Sequence, residues 1–376
     1  MSTVGKAGLE DVVVSTSDIC FIDGREGRLL YRGYDVDDLV QHAPFEEVVY
    51  LLWHGALPNL KERDAHVKAL SSTANRRLHP KLIAMLRQLP KKTTPMEVLR
   101  TGVSALSAFD PDAADNSREA TVRKAIRITA QMPTLVAAWE RLRRGKPPVA
   151  PNPKLGLAAN FLYMLTGKKP TDLAAKTVDV ALTLHADHEF NASTFAARVT
   201  AATLSDIHSA IVSGIGALKG PLHGGANEQV MLMVEQIKTP ERAEAWIKKA
   251  LADKARVMGF GHRVYRVEDP RAKHLRRLAT ELGQQAGKPH YVEILNTVAR
   301  VVSEEKKIYP NVDLYSGAAY AAMGIPTDQF TPIFAISRVV GWAALVLEQH
   351  AHNRLIRPRA EYTGPTRKTY VPIDQR

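Results

Sequence analysis

A chain of 376 residues with 45% hydrophobic content is long enough to bury a large core, and its length suits two domains better than one. Its one cysteine, Cys20, excludes an internal disulfide framework and any multi-cysteine zinc site, and fits a reducing compartment. The net charge of +12, from 51 Lys+Arg against 39 Asp+Glu, is dispersed rather than gathered in a basic stripe, so small anions suit the chain as partners better than nucleic acid.

Residues 1–6 carry no apolar h-region and no arginine-rich presequence, from which we expect a cytoplasmic protein. The run from Ile19 to Tyr31 holds two short apolar stretches around Asp23-Gly24 and Gly27, which predicts a β hairpin. From Asp35 the periodicity turns helical. Phe45, Val48, Val49, Leu52 and Trp53 share one face of a helix that should stop at Gly55, with Pro58 beyond. Further helices are predicted over 81–89, 96–109 and 117–144, the last bent at Pro133. After a proline-rich loop over 145–153, helices are predicted over 157–167, 172–189 and 194–203. Strands are nearly absent otherwise, so the fold class is all-α with a small N-terminal β hairpin. No internal repeat, low-complexity tract or linker interrupts the chain.

The stretch 331–348 is apolar nearly all round, hence buried, and reads as too short and interrupted to cross a bilayer. Arg338 lies in its middle, and a guanidinium taken out of water there needs an anion. Two anions would serve, a structural Asp or Glu or the carboxylate of a ligand. His185 and His188 fall one helical turn apart if the 172–189 helix is continuous, a metal-ligand spacing. His188-Glu189 is followed by Ala192 where a zinc hydrolase would place its second histidine, which weighs against a metal. His223 precedes a glycine pair and a resumed helix, so an imidazole and backbone N–H groups can face one ligand. The chain holds no Gly-x-Ser-x-Gly, which removes a serine hydrolase.

His262 follows Gly259-Phe-Gly261 and precedes several arginines, and Asp269-Pro270 starts a new helix before Arg271. This is a loop, open to reading as an active-site loop or as a plain surface turn. It does not suit a nucleotide fold, since Val264 stands where a third glycine belongs. Asp313 follows Pro310-Asn311 and precedes a small-residue helix, where it could serve chemistry or only cap the helix.

The motifs His223-Gly-Gly-Ala-Asn-Glu228, Gly259-Phe-Gly-His-Arg-Val-Tyr265 with Asp269-Pro-Arg271, Asn311-Val-Asp313 with Tyr315-Ser-Gly317, and Asn353-Arg-Leu-Ile-Arg-Pro358 occur in the order and spacing of the citrate synthases. The resemblance runs from Ile22-Asp-Gly24 to Tyr362-Thr-Gly364 and is shared with the 2-methylcitrate synthases. It implies a two-domain helical homodimer: a large domain from residues 1–222 and 320–376, and a small domain from 223–319 that closes over substrates. It implies condensation of acetyl-CoA with oxaloacetate, with no metal and no cofactor. The stretch Asn311-Val-Asp-Leu-Tyr-Ser-Gly317 looks more like the citrate branch than the methylcitrate one. A binding protein for acyl-CoA or a dicarboxylate, without turnover, would keep the arginines but has no need of an intact His223, His262 and Asp313.

By the same resemblance Asp313 matches the base, His223 the group that stabilises the enol oxygen, and His262 the donor to the oxaloacetate carbonyl. His188, Arg271, Arg338 and Arg357 match the oxaloacetate ligands, Arg357 reaching in from the neighbouring subunit. Arg256, Val257, Met258, Gly259, Phe260 and Gly261 resemble the segment that wraps the CoA adenine, and Arg266 the cation near its phosphates. The chain lacks the extra N-terminal domain that larger relatives carry with their NADH regulation, so a simple dimer without that control is expected.

Overall fold

The computed structural model describes residues 7–9 and 12–376; residues 1–6, read above for a targeting segment, lie outside them. The predicted hairpin forms as β1 (Cys20–Asp23) against β2 (Arg28–Tyr31), antiparallel, with Ile22 opposite Leu29 and Cys20 opposite Tyr31. A third strand, β3 (Tyr34–Asp35), extends it to a sheet of order β1-β2-β3. The turn between β2 and β3 is made by Arg32 at φ 50° and Gly33 at φ 85°. Two positive φ values in a row match the right-handed strand twist, but Arg-Gly lacks the Asn-Gly signature by which such a turn is read from sequence.

Helices fill most of the rest. They begin with α1 (Val36–His42), α2 (Phe45–His54), α3 (Leu60–Ser71), α4 (Thr73–Arg76), α5 (Pro80–Gln88) and α6 (Pro95–Leu106). Asp35 caps α1 by accepting from the Asp37 N–H, Gly55 ends α2 in the left-handed region, and Asn59 with Glu62 forms a capping box on α3. The predicted 96–109 helix ends at Leu106 and tightens into a 3-10 turn over Ser107–Phe109. Next come α7 (Arg118–Arg143), which runs through Pro133 as one helix, α8 (Leu157–Thr166), α9 (Asp172–His185), α10 (Ala192–Ala201) and α11 (Ile207–Leu218). The last are α12 (Ala226–Ile237), α13 (Pro240–Ala252), α14 (Pro270–Gln285), α15 (His290–Lys306), α16 (Asp313–Ala322) and α17 (Phe330–Ala351).

The predicted helix over 172–189 stops at His185, because groups from elsewhere in the chain take its last carbonyls. Ser337 donates to Leu182 O, Arg338 Nε to His185 O at 2.7 Å, and Gly341 N to Ala186 O at 3.1 Å. Tyr31 Oη lies 3.1 Å from Thr183 O and 3.0 Å from Asp187 O. Glu189, at φ 54°, then turns the chain, so His185 and His188 do not stack one turn apart on a helix as the sequence suggested.

The central element is α17, contacted by α2, α7, α9, α10 and α11. It is long and apolar enough to cross a bilayer, contrary to the sequence reading, but its apolar stretch is wholly buried within the protein. Trp342, buried on this helix, donates its indole N–H to Ser193 Oγ at 3.2 Å. Cutting back a side chain of that size in a core costs about 3–5 kcal/mol, so the packing of α17 and the placing of Ser193 are one structural matter. Helices α12 to α16 pack chiefly on one another, with α14 also touching α9 and α12 touching α17. The β1–β2 turn closes onto the 264–268 loop: Arg266 N donates to Gly24 O at 2.7 Å. A Cβ on Gly24 would lie 2.2 Å from Val264 O, so only glycine permits this approach.

Candidate active site

Two buried arginines define one end of the site. Arg338, on α17, is 1% exposed. It spends Nε on His185 O, lays its guanidinium 4.8 Å from the Phe334 ring centroid, and has no acidic partner within ion-pair distance among the described residues. The structural ion pair that the sequence left open is therefore not made. Arg271, at the start of α14, is fastened by Asp269: Nε to Oδ1 at 2.9 Å and Nη2 to Oδ2 at 2.7 Å. Asp269 also caps the helix by accepting from Arg271 N at 3.0 Å. A planar fork on a carboxylate is the geometry that fixes an arginine best.

Four imidazoles surround these cations. The His188 and His262 centroids lie 4.8 Å apart. The Phe334 ring, already under Arg338, is 4.8 Å from His185 and 6.2 Å from His223. Burial first, and then neighbouring guanidiniums, push their pKa values down: His223 and His262 to about 4, His185 to about 3, and His188 well below its usual value. All four are neutral at pH 7, where a neutral imidazole can donate one hydrogen bond without carrying charge.

The surroundings also select tautomers. His262 Nδ1 accepts from Val264 N at 3.0 Å and Tyr265 N at 3.2 Å, which leaves its proton on Nε2. His185 Nδ1 lies 2.8 Å from Ala181 O and so carries the proton. His223 Nε2 lies 2.8 Å from Ser193 Oγ, with Ser193 N aimed at it from 3.4 Å. The Ser193 N–H directed at Nε2 makes that nitrogen an acceptor and places the His223 proton on Nδ1.

Asp313 opens α16 and is half-buried. Burial raises its pKa to about 6, while Arg271 and Arg338 pull it down and Asp269 pushes it up. A carboxylate held there is ionised at pH 7 yet basic enough to take a proton. Its place depends on Asn311, which accepts from Asp313 N at 3.0 Å, donates Nδ2 to Gly261 O at 3.0 Å, and donates its N–H to Gly259 O at 3.0 Å. The loop bearing His262 is thus sewn to the turn bearing Asp313. Gly259, at φ 87°, has room for no side chain, since a Cβ would sit 2.8 Å from Leu314 Cδ1.

The structure thus brings His188, His262, Arg271 and Arg338 together, sets His223 against Phe334, and holds Asp313 within electrostatic reach of both guanidiniums. Arg256 and Arg266 are exposed, Val257, Met258, Phe260 and Gly261 partly so, and Gly259 is buried. Arg357 is exposed beyond α17 and makes no hydrogen bond or ion pair with any of these groups. Among the described residues no group of three or more His, Cys, Asp or Glu is placed to hold a metal ion.

Three supporting residues escaped the sequence reading. Asp269 read as a helix start, though a carboxylate two residues before Arg271 is a usable signal. Ser193, thirty residues from His223 in the chain, gives none. Asp187 is fully buried with both carboxylate oxygens unpaired, its pKa raised to about 6 by burial against the pull of Arg338.

Residues 8–359 match the family model described as citrate synthase, C-terminal domain. The citrate synthase of Haloferax volcanii is 50% identical, each chain covering the other fully. A 2-methylcitrate synthase of Mycobacterium tuberculosis is 43% identical over 96% of this chain and 90% of its own. Among solved structures, the citrate synthase of Pyrobaculum aerophilum superposes with a TM-score of 0.92 at 42% identity, covering 98% of this chain and 95% of that one. The Thermoplasma acidophilum enzyme, solved as a ternary complex with carboxymethyl coenzyme A and oxaloacetate, gives 0.91 at 35% identity and 98% coverage of both. With this likeness spanning the whole chain and the buried arginines and neutral imidazoles set as described, the protein belongs to the citrate synthase family.

Proposed function

We propose that the enzyme condenses acetyl-CoA with oxaloacetate and water to give citrate and CoA, using Asp313 as base and His223 and His262 as hydrogen-bond donors. The observation that carries this reading is the convergence of neutral imidazoles and a carboxylate of raised pKa on two buried guanidiniums. Arg338 and Arg271 would hold the dianion, with His188 beside them. Asp313 takes a proton from the thioester methyl group, and the enol oxygen that forms receives the His223 Nδ1–H. The new carbon nucleophile adds to the oxaloacetate keto carbon as its carbonyl electron pair moves onto oxygen, where the His262 Nε2–H meets it. Water then hydrolyses the thioester and releases CoA.

The segment over 256–261 with Arg266 would take the CoA, and residues 223–319 would close as a small domain on the remainder. Closure excludes water from the enol. Arg357, exposed in its own chain, would complete the site of a second copy, which makes the dimer the catalytic unit. Mixing inactive Asp313→Ala and Arg357→Ala subunits tests this, because one site of each hybrid dimer then carries neither lesion. Random exchange should restore roughly a quarter of wild-type activity. No recovery after demonstrated exchange would refute the shared site.

The mycobacterial relative supports one second reading, 2-methylcitrate synthesis from propionyl-CoA. A single methylene in a pocket is worth about 1–3 kcal/mol. Side-by-side steady-state kinetics should give the higher kcat/KM with acetyl-CoA; a higher value with propionyl-CoA would reverse the assignment.

A further inference from the structure

Tyr265 stands three residues beyond His262 and is 4% exposed. Its ring centroid lies 4.6 Å from that of His262 and 5.6 Å from that of His188, the two imidazoles assigned above to oxaloacetate. Its hydroxyl is buried and has no hydrogen-bond partner. Burial drives the phenol pKa far up, so the proton stays on, and among charged groups Arg271 and then Asp269 act on it most strongly. Buried tyrosines ordinarily find a partner for the hydroxyl. Tyr31, buried close by, does so on the carbonyls of Thr183 and Asp187. The missing partner is therefore particular to Tyr265.

Arg271 keeps one edge of its guanidinium free. Nε and Nη2 are both turned to Asp269, and Nη1 has only Leu184 O at 3.5 Å. A substrate carboxylate offers two oxygens with about four acceptor positions, of which the remaining Nη1–Nη2 edge of Arg271 fills at most about two. An unpaired donor thus lies beside the imidazoles assigned to oxaloacetate, whose carboxylate still has acceptor positions open. We propose, resting on the oxaloacetate reading above, that Tyr265 is a further substrate-contact residue whose phenol O–H donates to the carboxylate that Arg271 reaches through Nη1. The hydroxyl is buried without a partner among the described residues until the dicarboxylate arrives, so its cost falls on the free enzyme and its benefit on the complex.

The two effects have opposite signs, which gives the test. The full-length protein and its Tyr265→Phe variant are titrated with oxaloacetate by calorimetry, and each is melted without ligand. The variant should bind oxaloacetate about tenfold more weakly or worse, as expected when a hydrogen bond to a charged group is lost. Its unliganded melting temperature should be equal to or above that of the wild type, because an unpaired buried hydroxyl has gone. Oxaloacetate affinity within twofold of wild type overturns the proposal. So does a lower unliganded melting temperature, which would mean that the hydroxyl serves a partner inside the protein. Binding is read without turnover, so a protein that binds oxaloacetate but fails with both acyl-CoA substrates would sink the catalytic reading and leave this result standing. A wild-type protein that does not bind oxaloacetate would sink both.

Discussion

Arg338 and Arg266 are both assigned to anionic parts of substrates, yet their surroundings are opposite. Arg338 is wrapped by α17 and α9, stacked on Phe334, and tied to a backbone carbonyl. Arg266 is exposed, its backbone N–H pinned to Gly24 and its side chain without an acidic partner among the described residues. On the proposed function the dicarboxylate end is thus built of desolvated charge on helices, and the CoA end of solvated charge on a loop. Charge interactions are several times stronger when dry than at the surface, so binding strength should be concentrated at the first end and remain adjustable at the second. Asp313 is intermediate between the two in burial, with its own demand for an environment neither fully dry nor fully wet.

The largest effect should come from that middle position. Asp313→Ala should lower turnover by about 10²–10⁴-fold, measured by initial rates at saturating substrates, while oxaloacetate affinity changes by no more than about threefold. A parallel loss of oxaloacetate binding would break the comparison, because Asp313 would then belong to the anion end. Next in size is Arg338→Leu. Losing a desolvated charged hydrogen bond costs about 1.5–3 kcal/mol, so oxaloacetate should bind roughly 10- to 150-fold more weakly by calorimetry. Unchanged affinity would make Arg338 a structural residue despite its missing counter-ion.

A smaller effect, about tenfold per pH unit, separates the base from the imidazoles. Asp313 must be ionised to act, and its pKa is raised to about 6, whereas His223 and His262 are held down to about 4. The proton that inactivates the base is taken up as pH falls, so kcat/KM should decline below pH 6 and stay level from there to neutrality. A profile that stays level down to pH 5 and bends only near 4 would assign the limiting group to an imidazole instead.

The same contrast explains what the residue order reveals and what it hides. Loops with glycine, proline and histidine at fixed spacing stand out, so 223–228, 259–271 and 311–317 are picked out by residue types. A plain turn or a helix cap stays open for them until the resemblance to the citrate synthases assigns their roles. Arg338 is legible because a lone charge in an apolar helix has few explanations. The end of α9 is not, since the groups that capture its carbonyls, Tyr31, Ser337, Arg338 and Gly341, come from both ends of the chain. Periodicity sees only neighbours in sequence, and it therefore continues the helix to 189. Ser193 under His223 and Trp342 over Ser193 are long-range in the same sense. Arg357 lies further out still, exposed and without a hydrogen bond or ion pair among the described residues.

Arg266 supplies the smallest predicted effect and the sharpest check on the comparison. An exposed arginine facing a phosphate gains little in water, about 0–1 kcal/mol for surface pairs, and at 0.15 M salt the screening length is only about 8 Å. Arg266→Ala should therefore raise the KM for acetyl-CoA by about two- to fivefold at low salt, and the difference from wild type should shrink as salt is added. Oxaloacetate binding should be unaffected by the change. If Arg266→Ala were instead to cost as much as Arg338→Leu and to ignore salt, the loop must bury its arginine when CoA binds. The CoA end would then be dry in the complex, and the contrast between the two ends would describe only the free enzyme.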